Sequence, residues 1–207
     1  MPGQRIDAAL FDIRTNDEIV VASNTGGRSV FKNAGRTSRR GVEFVHVGDW
    51  SEEWRSTLSF TLLRARYVDA FNSLRGTAPV QVSAGNALPG TPDRSGFAEL
   101  VWKPRGAWGG FNSGVEVVHT GRLFVNDQND DAAPPATVFN LRAGFEQSFA
   151  GWLIKEWLRV DNVANRSYAG SVIVNEGTAA AQGGGRYFEP ALRRNAWLGV
   201  TARYSFE

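Results

Sequence analysis

The feature that most limits what this chain can fold into is the way its connections are sorted by length. Segments alternating apolar and polar residues with period two, the mark of a strand with one apolar face, recur from end to end. Over 54–62, Trp54, Leu58, Phe60 and Leu62 share one face, and Arg55, Thr57, Ser59 and Thr61 the other. Over 139–146, Phe139, Leu141, Ala143 and Phe145 oppose Asn140, Arg142, Gly144 and Glu146. Near the end, Ala196, Leu198, Val200, Ala202, Tyr204 and Phe206 oppose Trp197, Gly199, Thr201, Arg203 and Ser205. Weaker alternation marks 98–103 and 112–117, and strands also fit 5–14, 17–23, 36–47 and 153–161, where Glu156 interrupts the apolar face. The connections fall into a short set (14–17, 48–52, 104–109, 147–151) and a long set (24–35, 67–93, 121–137, 162–194), and the two alternate strictly along the chain.

Alternation alone fits a soluble sandwich and a membrane barrel equally, because each has one apolar face per strand. The sorted connections separate them. In an up-and-down antiparallel sheet, every short turn falls at one end and every long loop at the other. Outer-membrane barrels are built this way, whereas Greek-key sandwiches have no reason to sort their loops. The aromatics agree: Trp54, Trp102, Trp108, Phe149, Trp152, Tyr204 and Phe206 gather at strand ends on the short-turn side, where a barrel carries an aromatic girdle. Glu43, Arg55, Glu99, Lys103, Arg142, Glu146 and Arg203 would then face a wet lumen, opposite the lipid-facing apolar residues. The expected fold is all-β, an antiparallel up-and-down transmembrane β-barrel.

Composition closes off other routes. Cysteine is absent, which excludes disulfide frameworks, thiolate metal sites and cysteine nucleophiles. His46 and His119 are the only histidines, which argues against a His-rich metal site. A surplus of two positive charges leaves no electrostatic footprint for nucleic acid. No run approaches the roughly 18 apolar residues of a membrane-spanning helix, and the stretch from Met1 to Asp7 lacks the apolar core of a signal peptide.

Four stretches carry a family resemblance. Asn33-Ala34-Gly35-Arg36-Thr37-Ser38-Arg39-Arg40-Gly41-Val42-Glu43 is similar to a recurrent barrel strand of the TonB-dependent outer-membrane receptors, the plugged barrels that import ferric siderophores and related cargo. Arg159-Val160-Asp161-Asn162-Val163-Ala164-Asn165-Arg166-Ser167-Tyr168 resembles their penultimate-strand signature. Arg186-Tyr187-Phe188-Glu189-Pro190-Ala191 resembles the lead-in to their last strand, and 199–206 the terminal strand itself, although Glu207 follows the usual final aromatic. The resemblance runs from about Arg5 to the end. Complete receptors of this kind have about 22 strands around a plug, and about eight crossing segments are legible in these 207 residues. The resemblance therefore implies a single unit, 1–207, forming the C-terminal portion of the barrel, with the plug, the energy-coupling box and the signal peptide unrepresented. It implies an outer-membrane location, membrane lipid around the wall, a ferric siderophore or other metal chelate as cargo, and contact with the TonB complex only through the missing N-terminal region. No cofactor is implied.

Candidate ligand contacts are Arg122, Arg166, Tyr168, Arg186 and Tyr187, all at loop bases on the long-connection side. Arginine forks and aromatic faces suit an anionic chelate; the same arginines could equally face lipid phosphates or solvent. Asp127, Asp130 and Asp131 share one loop but lack the glycine and closing glutamate of a cation-binding loop. Gly183-Gly184-Gly185 has no Lys-Ser/Thr and no following helix, so it reads as a flexible tip, not a phosphate cradle. An enzyme would need His119 beside Asp127, the one remotely suitable pair, and no nucleophile motif accompanies them. The reading is a non-enzymatic receptor and importer component. The competing reading is a small autonomous barrel serving as an anchor or adhesin, which requires the first and last strands to pair.

Overall fold

The computed structural model describes residues 3–75, 78–176 and 187–206. In chain order the strands are β1 (Gln4–Thr15), β2 (Ile19–Thr25), β3 (Arg28–Asn33), β4 (Thr37–Asp49), β5 (Trp54–Tyr67), β6 (Phe71–Arg75), β7 (Ala78–Val82) and β8 (Arg94–Trp102). Then come β9 (Phe111–Thr120), β10 (Leu123–Phe124), β11 (Ala132–Ala133), β12 (Ala136–Phe149), β13 (Trp152–Asp161), β14 (Ala169–Val172), β15 (Phe188–Pro190) and β16 (Asn195–Tyr204). Eight of them form one antiparallel sheet in the order β1-β4-β5-β8-β9-β12-β13-β16. Each wall strand pairs with the next wall strand along the chain, so the architecture is the up-and-down partial barrel expected. The other strands form two-stranded hairpins inside the four long connections, 16–36, 68–93, 121–135 and 162–194. Residues 50–53, 103–110 and 150–151 make the short turns at the opposite end. Glu207, the Gly183-Gly184-Gly185 run and Arg186 lie outside the described residues.

One expectation fails. The stretch 14–17 is not a short turn between wall strands, and 17–23 is not a wall strand. β1 pairs directly with β4, from Gln4 opposite Gly48 to Thr15 opposite Thr37. The chain turns away at Asp17, which has φ 56°, and Ile19–Thr25 folds back on Arg28–Asn33 as a hairpin. Asn16 therefore sits with the long connections. The misleading cue was Ile19-Val20-Val21, as apolar as a wall strand; Val20 instead packs against the buried cluster at this end.

Register fixes what each face carries. Phe44, Phe60 and Gly96 lie in one row, as do Leu100, Val115, Leu141 and Val160. Because strand residues two apart share a face, these rows form one apolar face, with Leu62, Leu100, Leu141 and Val200 respectively 44%, 45%, 43% and 66% exposed. Glu156 lies on it between Phe145 and Val200. The opposite face is polar. At the short-turn end the aromatics form a ring system: Trp54 stacks on Trp102 at 5.9 Å, Trp102 meets Phe111 edge-on at 6.0 Å, and Trp152 and Tyr204 are 5.0 Å apart.

The buried apolar cluster lies at the other end. Ala34, Ala65, Tyr67, Val82 and Leu88 pack together with Val20, Leu63 and Phe71 around them. Leu63, Ala65 and Tyr67 belong to the polar face of β5 by parity. The long connections thus fold inward over the end of that face.

Candidate functional site

The long connections are tied together at Asp127, a fully buried residue in the third of them. Its carboxylate accepts hydrogen bonds from Lys32 Nζ at 2.8 Å and from the Tyr67 hydroxyl at 2.7 Å. Asn86 Nδ2 donates to its carbonyl at 2.9 Å, and its own N–H donates to Asn175 Oδ1 at 3.2 Å. The first, second and fourth connections therefore all converge on the third. Lys32 is further held by the Ser73 hydroxyl and lies 4.7 Å from the Phe71 ring centroid. Asn175 completes the lock: its Nδ2 donates to the carbonyl of Val21 at 2.7 Å, and its N–H to that of Val125 at 2.9 Å. A buried carboxylate survives only when paired and hydrogen-bonded; Lys32 of the first connection pairs it, Tyr67 of β5 hydrogen-bonds it, and Asn86 and Asn175 hold its backbone from the second and fourth connections.

Beside this knot is a cavity of about 480 Å³, within the range of small-ligand sites, whose lining includes Lys32, Ser73, Asn126, Gln128, Asn175 and Tyr187. Amide and hydroxyl groups share the lining with the Glu176 carboxylate and with Ala22, Val30 and Pro79, and Asp127 pairs with Lys32. A second cavity, about 340 Å³, lies at the base of the fourth connection between Tyr168, Asn140, Asn162 and Leu192. Asn162 builds that base. It takes the left-handed conformation, φ 51°, which asparagine tolerates better than most residues. Its Nδ2 donates to the carbonyls of Arg166 and Leu192 at 2.7 and 3.2 Å, and its Oδ1 accepts the Arg166 N–H at 2.8 Å.

Below the loops, the polar face carries a charge ladder across five strands. Arg142 on β12 donates to Glu99 on β8 at 2.6 and 3.1 Å. Glu116 on β9 takes both terminal nitrogens of Arg159 on β13, at 2.7 and 2.6 Å. Arg159 Nε also donates to Asp161 at 2.7 Å, and Trp197 Nε1 on β16 reaches the same carboxylate at 3.1 Å. Gly114, opposite Arg142 in register, makes room for it: a Cβ there would lie 3.0 Å from the guanidinium Nε.

The sequence-derived candidates do not gather in one place. Tyr187 is buried in the wall of the larger cavity and Tyr168 lines the smaller one. Arg166 is exposed and donates to the Pro135 carbonyl at 3.1 Å. Arg122 is exposed, with its guanidinium 6.0 Å from the Phe124 ring centroid. His119 Nδ1 lies 2.9 Å from the Thr137 hydroxyl, while Asp127 is engaged by Lys32 and Tyr67, so no His–Asp pair forms. Among the described residues no group of three acidic or histidine side chains could hold a metal ion. Sequence reasoning missed Lys32, Asn126, Gln128 and Asn175. A lone lysine and scattered amides in long loops carry no spacing that would bring them together.

Comparison with known proteins agrees with this architecture. The family described as "TonB dependent receptor-like, beta-barrel" matches residues 2–165. The siderophore receptor PiuA from Acinetobacter baumannii superposes with a TM-score of 0.73 at 17% identity, over 96% of this chain and 25% of that one. The ferric yersiniabactin uptake receptor FyuA from Yersinia pestis gives 0.70 at 17% identity, over 99% and 28%. The copper transporter OprC gives 0.68 at 16% identity, over 97% and 29%. The chain spans a quarter to under a third of the length of these structures.

Proposed function

Because the chain belongs to the TonB-dependent receptor-like β-barrel family, whose members are receptors and not enzymes, we propose that it supplies eight consecutive wall strands of an outer-membrane receptor that takes up ferric siderophores or similar metal chelates by energy-coupled transport. The observation that carries this reading is the cavity built by all four long connections over the end of the polar face. A cargo arriving from outside meets that cavity first and the charge ladder next. The solved receptors that superpose on the chain include siderophore and copper carriers, which fits a metal complex as cargo. Tyr187 and Tyr168 are the aromatic contacts of this reading, and the exposed Arg122 and Arg166 are its cationic contacts for an anionic chelate. The anchor or adhesin alternative needs β1 to pair with β16, and the sheet runs from one to the other without closing. Closing eight strands would also press the charge ladder into an interior just wide enough for side chains.

The test has two parts in cells expressing the full-length gene. Single cysteines at Asn16, Asn72, Gln128 and Ser171 label with an impermeant maleimide from outside intact cells, whereas cysteines at Asp49, Gly106 and Ala150 do not. Uptake of ferric chelates in a receptor-deficient strain then falls on Tyr187→Ala while the labelling pattern is kept. Equal labelling at both ends refutes the orientation, and unchanged uptake across a chelate panel refutes the role of the cavity.

A further inference from the structure

Among the described residues lining the large cavity, Lys32 is the one cation, and it is already committed. Its ammonium donates to Asp127 Oδ2 at 2.8 Å and to the Ser73 hydroxyl, and it lies over the Phe71 ring. The Asp127 side chain is wholly shielded from solvent, and that of Lys32 is 18% exposed. A cargo anion that drew Lys32 into the cavity would strand this carboxylate. Tyr67 also bonds it but brings no charge to balance it. Removing one partner of a buried ion pair costs more than about a hundredfold in an equilibrium constant. The groups left for a ligand are of another kind. Ser23, Thr25, Asn72 and Gln128 line the cavity, and their side chains make no hydrogen bond among the described residues. The one further charged side chain in the described lining is the Glu176 carboxylate, and Tyr187 adds an aromatic wall. Arg122 and Arg166 are absent from this lining, so an anion they hold sits outside it.

We propose that this cavity selects its cargo by charge and takes a metal chelate of no net charge whose periphery presents carbonyl, amide or hydroxyl groups. An uncharged ferric trihydroxamate belongs to this class; a trianionic ferric tris-catecholate does not. Asparagine and glutamine each offer two donors and an acceptor, and serine and threonine hydroxyls offer both. Such groups satisfy a neutral polar periphery without supplying charge. An anion seated among them loses its hydration and finds no cation to replace it, since Lys32 is held by Asp127. The inference rests on the receptor reading above and narrows its cargo.

The test is equilibrium dialysis of the purified full-length receptor in detergent against two radiolabelled probes, an uncharged ferric trihydroxamate and a trianionic ferric tris-catecholate. Wild type binds the first at least about tenfold more tightly. Asp127→Asn keeps an acceptor for Tyr67 but removes the charge that holds Lys32, so the preference narrows by about tenfold or more. The double variant K32Q/D127N has neither charge, and the preference returns. Gln128→Lys adds a cation to the lining without touching the knot and narrows the preference in the same sense, which keeps the test decisive if D127N does not fold. Equal or tighter binding of the tris-catecholate by wild type overturns the proposal. So does a preference that neither D127N nor Q128K alters, because the selection then lies outside this cavity. Failure of the receptor reading is distinguishable, because wild type then binds neither chelate.

Discussion

In the wall, Leu58, Phe60 and Leu62 are 43%, 42% and 44% exposed while Thr57, Ser59 and Thr61 behind them are half-buried. In the cap made by the long connections the order is reversed: Tyr67, Val82 and Val125 are buried to within 1%, and the polar loop tips face out. One chain therefore obeys two opposite burial rules, and the boundary runs through single strands. On β5, Leu62 belongs to the wall's outward face and Tyr67, five residues later, to the cap's interior. The difference teaches that apolar burial follows the surrounding solvent. On the proposed reading the cap folds against water and the wall sets its apolar face against hydrocarbon. Charges follow the same logic. The cap tolerates a few deeply buried ions at one knot. The wall spreads its ion pairs along a face that is partly wet.

The comparison breaks most readily at Asp127. Lys32→Met leaves a fully buried carboxylate without its cation, which costs about 3–5 kcal/mol. The loss is confined to the cap. Protease nicking within 68–93 and 121–135 should rise steeply, while heat-modifiable mobility, which reports the wall, stays unchanged. Unfolding of the wall along with the cap would mean that the two regions are not separable.

The next largest effect belongs to the wall. Leu141→Arg places a charge on the apolar face and should cost roughly 2–4 kcal/mol near the bilayer midplane, read from urea unfolding in lipid vesicles. Arginine at Thr57, Ser59 or Thr201, on the polar face, should cost far less. A reversed ranking would exchange the lipid-facing and lumen-facing sides.

At the boundary between the regions, Asn162→Ala forces a residue with a Cβ to keep φ 51° and strips the side-chain bonds to Arg166 and Leu192. The cost is about 1–3 kcal/mol. Asn162→Gly restores the backbone freedom but not the bonds, so it should fall between alanine and wild type. If glycine matches alanine, the bonds alone matter; if it matches wild type, the conformation alone does.

The wall was legible in the sequence because its constraints are local. Period-two alternation over 54–62, 139–146 and 196–206 requires only that neighbouring residues point opposite ways, and the aromatic ends and loop lengths add a direction. The cap was not legible. Ile19-Val20-Val21 alternates too poorly to be told from a wall strand, and its real neighbours include Asn175, about 150 residues away in sequence. The meeting of Lys32, Tyr67, Asn86 and Asn175 on Asp127 likewise depends on four connections folding against one another. The penultimate-strand motif is visible in the sequence as a pattern, and its chemistry emerges only from the fold. Asp161 takes Arg159 and Trp197, and Asn162 turns the chain into the fourth connection.

The smallest effect expected is a pH slope at the first connection, and it sharpens the difference between a cap ion pair and a surface one. Glu18 accepts hydrogen bonds from Arg39 at 2.8 and 3.2 Å and from the Thr37 hydroxyl at 3.1 Å. The Arg39 bonds hold its carboxyl below the usual value of 4.5, with burial opposing them and Thr37 reinforcing them. A carboxyl depressed on folding contributes stability that is complete above its unfolded value and is lost as pH falls through the folded one. Protection of the β2–β3 hairpin from proteolysis should therefore be flat above about pH 5 and decline below 4.5. Arg39→Gln should remove that decline and lower the protection at neutral pH. Asp69 is held down by Arg36 in the same sense, but that pair lies in open solvent, where exposed ion pairs contribute little. Arg36→Gln should therefore leave the acid profile of the hairpin almost unchanged. An equal response to both substitutions would mean that Glu18 behaves as a surface group and that the cap does not enclose it.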